Sequence, residues 1–204
     1  MTESRIPKIL HQIWIGPRPR PQRFLNSVRA LHPDWDYRLW TDENLPPLRN
    51  QSAFDRSPTW AQKSDVLRYE LLWQFGGVYV DADSLALRPL DPLLEGVEMF
   101  AGYEREGSTL IATGVVGCTK GHGNVNRLIQ ELDIDGLGAA WEIVGPLYFT
   151  RMIEKHAMPL TVHPPHFFYP IHHTERMRLY GLSRGVNPTG PRLRQRFFMH
   201  YWGS

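Results

Sequence analysis

Long apolar runs are missing from this chain. No segment approaches the roughly twenty consecutive apolar residues that crossing a bilayer requires, and the start lacks the apolar stretch and small-residue cleavage site of a signal peptide. The expectation is a soluble, cytoplasmic protein, with association at the inner membrane surface as the peripheral variant. Cysteine is nearly absent. The single Cys118 excludes an intrachain disulfide and reads as a buried small hydrophobe, because no histidine pattern around it suggests activation. An excess of charge of one sign is lacking too: the formal net charge is +2, and no lysine-rich run accompanies the pI of 8.8, which argues against nucleic acid as the principal partner. There is no internal repeat and no linker that would split the chain, so its 204 residues read as one domain, 1–204, large enough to bury a core without staples.

Aromatic residues are plentiful, with seven tryptophans and eight tyrosines. Most read as core and rim, Trp60 and Trp73 among the core, although such rings also suit stacking on sugar faces. The chain is organised around residues 60–83, WAQKSDVLRYELLWQFGGVYVDAD. Leu67, Leu71, Leu72 and Phe75 recur at helical spacing, Ser57 and Pro58 are placed to cap and start that helix, and Gly76 with Gly77 ends it. Val78, Tyr79 and Val80 form a short strand that delivers Asp81 and Asp83 at its carboxyl end, both on one side. Asp65 and Arg68, three apart, share one helical face and are expected over that strand end.

A D-x-D pair arises by accident about once in 300 positions at ordinary acidic usage. Context therefore decides among the three pairs present. Asp34/Asp36 flank Trp35 after a proline and read as a turn, and Asp133/Asp135 follow a helical run and read as a solvated helix end. Only Asp81/Asp83 follow an apolar strand, and open α/β sheets bind ligands beyond the carboxyl ends of their strands.

Along the rest of the chain, residues 6–16 read as the first strand, with the loop from Gly16 to Arg20 at the ligand edge; its prolines and arginines suit either a phosphate or acceptor contact or a solvated loop. Residues 22–31 read as a helix, 36–40 as a second strand, 41–58 as loop, and the turn-rich LRPLDPLLEG as a surface crossing. Residues 98–103 and 109–118 read as strands, 124–132 and 145–156 as helices, and 160–163 and 166–169 as strand-like pieces. From residue 170 to 190 periodicity is weak.

KSDVLRYELLWQFGGVYVDAD resembles the signature of the DXD-containing sugar transferases grouped with fungal α-1,6-mannosyltransferases and inositol-phosphoceramide mannosyltransferases; bacterial glucosylating toxins share a related pattern. IPKILHQIWIG is similar to that family's opening strand, residues 35–42 to its W-x-Y-x-L-W-x-D segment, residues 167–170 to its F-Y-P element, and MHYWGS to its H-x-W-x-x-S close. The resemblance implies an α/β fold of GT-A type with a central mixed sheet flanked by helices. It implies a retaining glycosyltransferase that uses a nucleotide-sugar donor (UDP- or GDP-hexose), a sugar or glycolipid acceptor, and Mn²⁺ or Mg²⁺. On the matching positions, Asp83 would ligate the metal, with Asp81 helping and His200 as a further candidate. Asp65 and Arg68 would bind the donor sugar, and His11, Gln12, Ile13 and Trp14 would line the base. Gly77 falls within the binding segment, and Trp202 and Ser204 would close over the leaving phosphate. The chain departs from the pattern at Thr113, where the family tends to carry asparagine, and at Val144-Gly145-Pro146, where T-G-P is expected; both bear on specificity. Without a Golgi-type anchor, the expectation is a bacterial or viral cytoplasmic enzyme.

Rival readings remain at this level. A dehalogenase-type phosphatase also places D-x-D after a strand, but it needs a later acidic pair at another strand end, and beyond Asp91 only Asp133 and Asp135 follow. A non-catalytic carbohydrate- or nucleotide-sugar-binding protein explains the aromatics but has no need of Asp65, Arg68, Asp81 and Asp83 together. His163, His166, His172 and His173 raise a zinc site, which the surrounding prolines disfavour.

Overall fold

A computed structural model describes residues 6–134, 138–172 and 195–201. The described elements are, in order, β1 (Ile9–Ile13), α1 (Gln22–Leu31), β2 (Asp36–Trp40), α2 (Gln51–Arg56), α3 (Trp60–Phe75), β3 (Gly77–Val80) and β4 (Ser84–Ala86). Then follow β5 (Met99–Tyr103), β6 (Ile111–Cys118), α4 (Gly123–Gln130), α5 (Ala140–Ile143), α6 (Pro146–Lys155), β7 (Thr161–His163) and β8 (Phe198–His200).

Six strands form a mixed sheet in the order β2-β1-β3-β6-β5-β7. β1 pairs in parallel with both β2 and β3, β6 runs antiparallel to β3 and β5, and β7 is parallel to β5. The carboxyl ends of β1, β2, β3, β5 and β7 therefore share one edge with the amino end of β6. Period-two alternation divides the core between the faces: Val78 and Val80 pack with Leu10, Val28 and Phe198, while Tyr79 packs with α3 on the other side. This is the α/β mixed-sheet architecture that the sequence predicts.

The central helix α3 is buried on most of its circumference from Val66 to Leu72. Its cap is not Ser57. Thr59 Oγ1 accepts from the Gln62 amide at 3.2 Å, and Pro58 lies before the cap. Ser57 instead closes α2, donating from Oγ to the Ala53 carbonyl. That helix replaces the loop expected over 41–58. Asn50 caps it, accepting from the Ala53 amide, and the fully buried Glu70 receives the Arg49 and Asn50 amides at 3.0 and 2.8 Å.

At the other end of α3, Gly76 has φ +66° and Gly77 has φ +93°. A Cβ at Gly77 would stand 2.4 Å from the Ile9 carbonyl oxygen. Gly77 opens β3, four residues or about 13 Å from Asp81 at strand rise, so it makes the turn and does not face the ligand edge. Gly77→Ala is expected to lower stability by at least about 2 kcal/mol, read as a shift of the urea midpoint at unchanged m-value.

Further corrections follow from packing. The turn-rich segment after β4 runs along the surface as expected, with Leu87, Arg88, Pro89 and Pro92 exposed, but Leu90, Leu93 and Leu94 turn inward and fill the core beside α1. Residues 166–169 form no strand; Pro164 and Pro165 have no amide for a ladder, and a single 3-10 turn, Pro165–Phe167, takes their place. The short α5 and the pairing of β8 with β4 were not anticipated. Trp60 is 49% exposed, its ring lying over Gly16, and Trp73 is only partly buried beneath the Arg49 guanidinium. Cys118 is fully buried as expected, and burial pushes its thiol pKa up.

Candidate active site

Residues beyond β3 turn back at once. The Asp81 amide donates to the Gly114 carbonyl at 2.8 Å, and the Ser84 amide donates to the Asp81 carbonyl at 3.1 Å. That turn brings the Asp83 side chain round beside Asp81. β4 follows immediately and pairs antiparallel with β8, Ser84 opposite His200. The register sets the imidazole between the carboxylates: His200 Nε2 lies 3.0 Å from Asp81 Oδ2 and 3.0 Å from Asp83 Oδ1. One ligand atom from each of the three residues falls within 4.8 Å of the others, and among the described residues no other trio of histidine, cysteine or acidic side chains does so.

The second oxygen of Asp81 faces α3. Asp81 Oδ1 accepts from the Tyr79 hydroxyl at 2.7 Å and from Arg68 Nη2 at 3.0 Å. Arg68 Nη1 reaches Asp65 Oδ1 at 2.6 Å, and the guanidinium carbon sits 4.4 Å above the Tyr79 ring. Helical spacing and the glycine turn thus hold Asp65, Arg68 and Asp81 in one buried line, as the i, i+3 pattern predicts.

Electrostatics follow from this packing. Burial alone would raise the Asp81 pKa, but Arg68 and then His200 hold it well below the usual carboxylate range. Burial pulls His200 down, yet Asp83 and Asp81 together lift it to about 10, so the imidazolium carries the balancing charge where a cation would otherwise sit. Burial raises Asp65 to about 6 against the pull of Arg68. Two carboxylates and an imidazole, buried and converging, are a donor set that fits a divalent cation with positions left for water and phosphate oxygens.

Of the opening-strand residues, Gln12 and Trp14 lie by the site. Gln12 Nε2 donates to the Asp81 carbonyl at 3.4 Å while its Oε1 accepts from the Tyr37 hydroxyl, and Trp14 emerges past β1, donating to the Arg18 carbonyl. His11 and Ile13 do not line it. His11 is fully buried, its Nε2 on the Gly76 carbonyl and its Nδ1 accepting from Trp40, and burial lowers its pKa to about 4; Ile13 packs in the core. Trp202 and Ser204 lie outside the described residues. His163, His166 and His172 form no metal-binding trio, and His173 also lies outside the described residues.

The roles of three contributors were missed. Tyr79 alternates with Asp81 along the strand, so its place beside the carboxylate was available from period two. Tyr169 was noted only as part of F-Y-P; its hydroxyl accepts from the Val115 amide at 2.8 Å and its ring lies 5.8 Å from that of His200. Gly114 is one of the glycines in the strand to Cys118 that read as letting the backbone approach a ligand; what it admits is a side chain, since a Cβ there would stand 2.7 Å from Asp81 Oδ2 and 3.1 Å from the Tyr169 hydroxyl, so only glycine leaves the carboxylate its place. The departures from the family pattern border this region: Thr113 is buried, Tyr69 donates to the Val144 carbonyl at 2.8 Å, and a Cβ on Gly145 would stand 3.3 Å from Asp65 Oδ2.

Residues 19–99 match the profile of the glycosyltransferase sugar-binding region containing the DXD motif. Inositol phosphoceramide mannosyltransferase 3 of Schizosaccharomyces pombe is 34% identical over 138 residues, 63% of this chain and 38% of that protein. Inositol phosphoceramide mannosyltransferase 2 of the same yeast is 30% identical over 184 residues, 81% of this chain and 51% of that protein. The chain thus spans about half or less of the length of these relatives. Among solved structures, the PaToxG glycosyltransferase superposes with a TM-score of 0.59 at 18% identity, covering 74% of this chain and 70% of its own. The chain shares the GT-A type of fold, and Asp81-Ala82-Asp83 lies within the matched region.

Proposed function

We propose that residues 1–204 act as one GT-A domain that moves a hexose from a UDP- or GDP-sugar to a hydroxyl of a glycan, lipid-linked or small acceptor, with retention of anomeric configuration and dependence on Mn²⁺ or Mg²⁺. The observation that carries this reading is the convergence of Asp81, Asp83 and His200 on one point beside the Asp65–Arg68 pair. The relatives' designation as mannosyltransferases supports a hexose.

Asp83, Asp81 and His200 hold the metal in this proposal. Once bound, such a cation supplies charge neutralisation for a departing diphosphate without proton transfer. His200 ligates only as neutral imidazole, so it releases a proton on binding. Arg68, already clamped by two carboxylates, fixes Asp81 and presents its plane to the donor sugar, whose hydroxyls Asp65 accepts. Gln12, itself fully buried, holds the Asp81 backbone in place, Trp14 flanks the nucleotide, and Trp202 and Ser204 meet the leaving phosphate on the resemblance alone. Retention follows if the acceptor oxygen enters on the face from which the diphosphate departs, through an oxocarbenium-like transition state stabilised by the fixed charges of this edge.

The test is incubation with Mn²⁺ and a panel of UDP- and GDP-sugars, following nucleotide release. Hydrolysis of one donor, abolished by a chelator, supports the proposal; no turnover or donor binding across the panel sinks it in favour of a non-catalytic binding protein. Tyr79→Phe, which removes the hydroxyl donating to Asp81, is expected to weaken Mn²⁺ affinity by roughly tenfold, measured by titrating the metal against nucleotide release.

A further inference from the structure

The charge of this chain is distributed unevenly. Between Glu3 and Asp34 there is no acidic residue, while six arginines and lysines fall in that interval, leaving the rest of the chain with four more acidic than basic residues. Four of the six lie on the loop after β1 and on α1. Arg18 and Arg20 stand in the loop, and Arg23 and Arg29 on the helix; all four are exposed, and none has a carboxylate partner among the described residues. Elsewhere on the surface, exposed basic groups do find acids, as Lys8 finds Asp91 and Lys155 finds Glu131.

Position gives these arginines meaning. β1 and β3 are parallel, so the arginine loop emerges at the edge that carries Asp81 and Asp83, and Gln12 ties the two strand ends together. The helix α1 then starts at that edge with no acidic residue in its first turn and no side-chain cap, leaving its positive end uncompensated. Arg23 and Arg29 are six residues apart, about 9 Å along the helix, which with the loop spreads positive charge over more than one phosphate can cover. Beside α1 lies β4, whose Ala86 amide donates to Ser27 Oγ at 3.0 Å; the next residue, Leu87, is 38% exposed. An extended basic face bordered by a protruding leucine matches a surface that is anionic in its headgroups and apolar just beneath.

We infer that the loop of Arg18 and Arg20, the outward face of α1 and Leu87 dock this protein on an anionic lipid bilayer, with the Asp81–Asp83 edge brought close to the headgroups. Each arginine near such a surface strengthens binding by a few-fold, and the attraction falls off within a Debye length, so docking is lost at high salt. A nucleic acid would answer the arginines but give Leu87 no role.

The experiment is co-sedimentation of the purified full chain with vesicles of phosphatidylcholine alone and of phosphatidylcholine with one third phosphatidylserine, at about 0.1 M salt and at several times that. The expected result is partitioning to the anionic vesicles only, reduced by roughly fivefold in Arg20→Gln and by on the order of a hundredfold in the Arg18→Gln/Arg20→Gln/Arg23→Gln variant, and lost at high salt. Lys120→Gln, which removes an exposed charge at the opposite sheet edge, is the control for net charge and is expected to bind as the parent does. Leu87→Ser is expected to weaken binding at low salt without changing the salt dependence. Equal binding to neutral and anionic vesicles, a loss in Lys120→Gln matching that in Arg20→Gln, or no vesicle binding with arginine-dependent retention on a double-stranded oligonucleotide overturns the inference. Asp83→Ala leaves Arg18, Arg20, Arg23 and Leu87 in place and is expected to keep the arginine- and salt-dependent docking, so failure of the transfer reading and failure of this one give different results.

Discussion

Asp83→Ala is expected to reduce metal-dependent nucleotide release by on the order of a thousandfold, the several kcal/mol of transition-state charge stabilisation that a bound cation provides. Asp83 is 5% exposed and its carboxylate lies 3.0 Å from His200 Nε2, in the turn between β3 and β4. In the variant His200 keeps Asp81 at 3.0 Å and β4 keeps its pairing with β8, so the thermal midpoint should move little. Loss of turnover with retained stability is the expected combination. A variant that keeps a tenth of parental turnover at saturating Mn²⁺ would mean that the metal is held elsewhere or is not needed, and the proposed chemistry would fall.

Arg68→Met should be the most destabilising single substitution at this site, by about 3–5 kcal/mol at pH 8. Arg68 is 4% exposed and bridges Asp65 at 2.6 Å and Asp81 at 3.0 Å. Methionine fills much of the same space but leaves the Asp65 carboxylate buried without a cation and Asp81 with His200 as its cationic partner. The sign of the pH dependence follows. Burial already raises Asp65 to about 6, and removing Arg68 drives it further up, so the folded state of the variant binds more protons than the unfolded chain. The deficit relative to the parent is therefore full above the variant's folded pKa and shrinks as pH falls through it towards about 6, the parental value. Urea denaturation in the presence of chelator, at pH 5 and pH 8, measures it. Adding Asp65→Asn to Arg68→Met should recover more than half of the loss. A pH-independent deficit would instead point to lost packing against Tyr79 as the cause.

Much of this site was legible in the chain because its geometry is local. Leu67, Leu71 and Leu72 set the buried face of α3, two glycines set the turn, and period two in Val78-Tyr79-Val80 set where Asp81 points. Arg68 and Asp65 then follow from 3.6 residues per turn. What escaped depends on distant packing. Ser57 and Thr59 are equally good caps on paper, and Ser57 lost the role because α2 ends on it. His11 carries the right side chain on the right strand, but Trp40 and the Gly76 carbonyl occupy both of its nitrogens, a fact that pairing across β1, β2 and the helix end creates. Gly114 matters only because Asp81 and Tyr169 arrive from either side. The burial of Leu90, Leu93 and Leu94 likewise depends on α1 and β8 offering them a surface, which no local pattern announces.

The pairing of β4 with β8 joins residues 119 positions apart at the His200–Asp81 contact. During synthesis, the strand carrying both aspartates leaves the ribosome long before the histidine does. A nascent chain at that stage has its acidic half-site but not the third ligand, and only docking of the late strand completes the trio. The cluster of Asp81, Asp83 and His200 is therefore complete only once the chain has been made past residue 200.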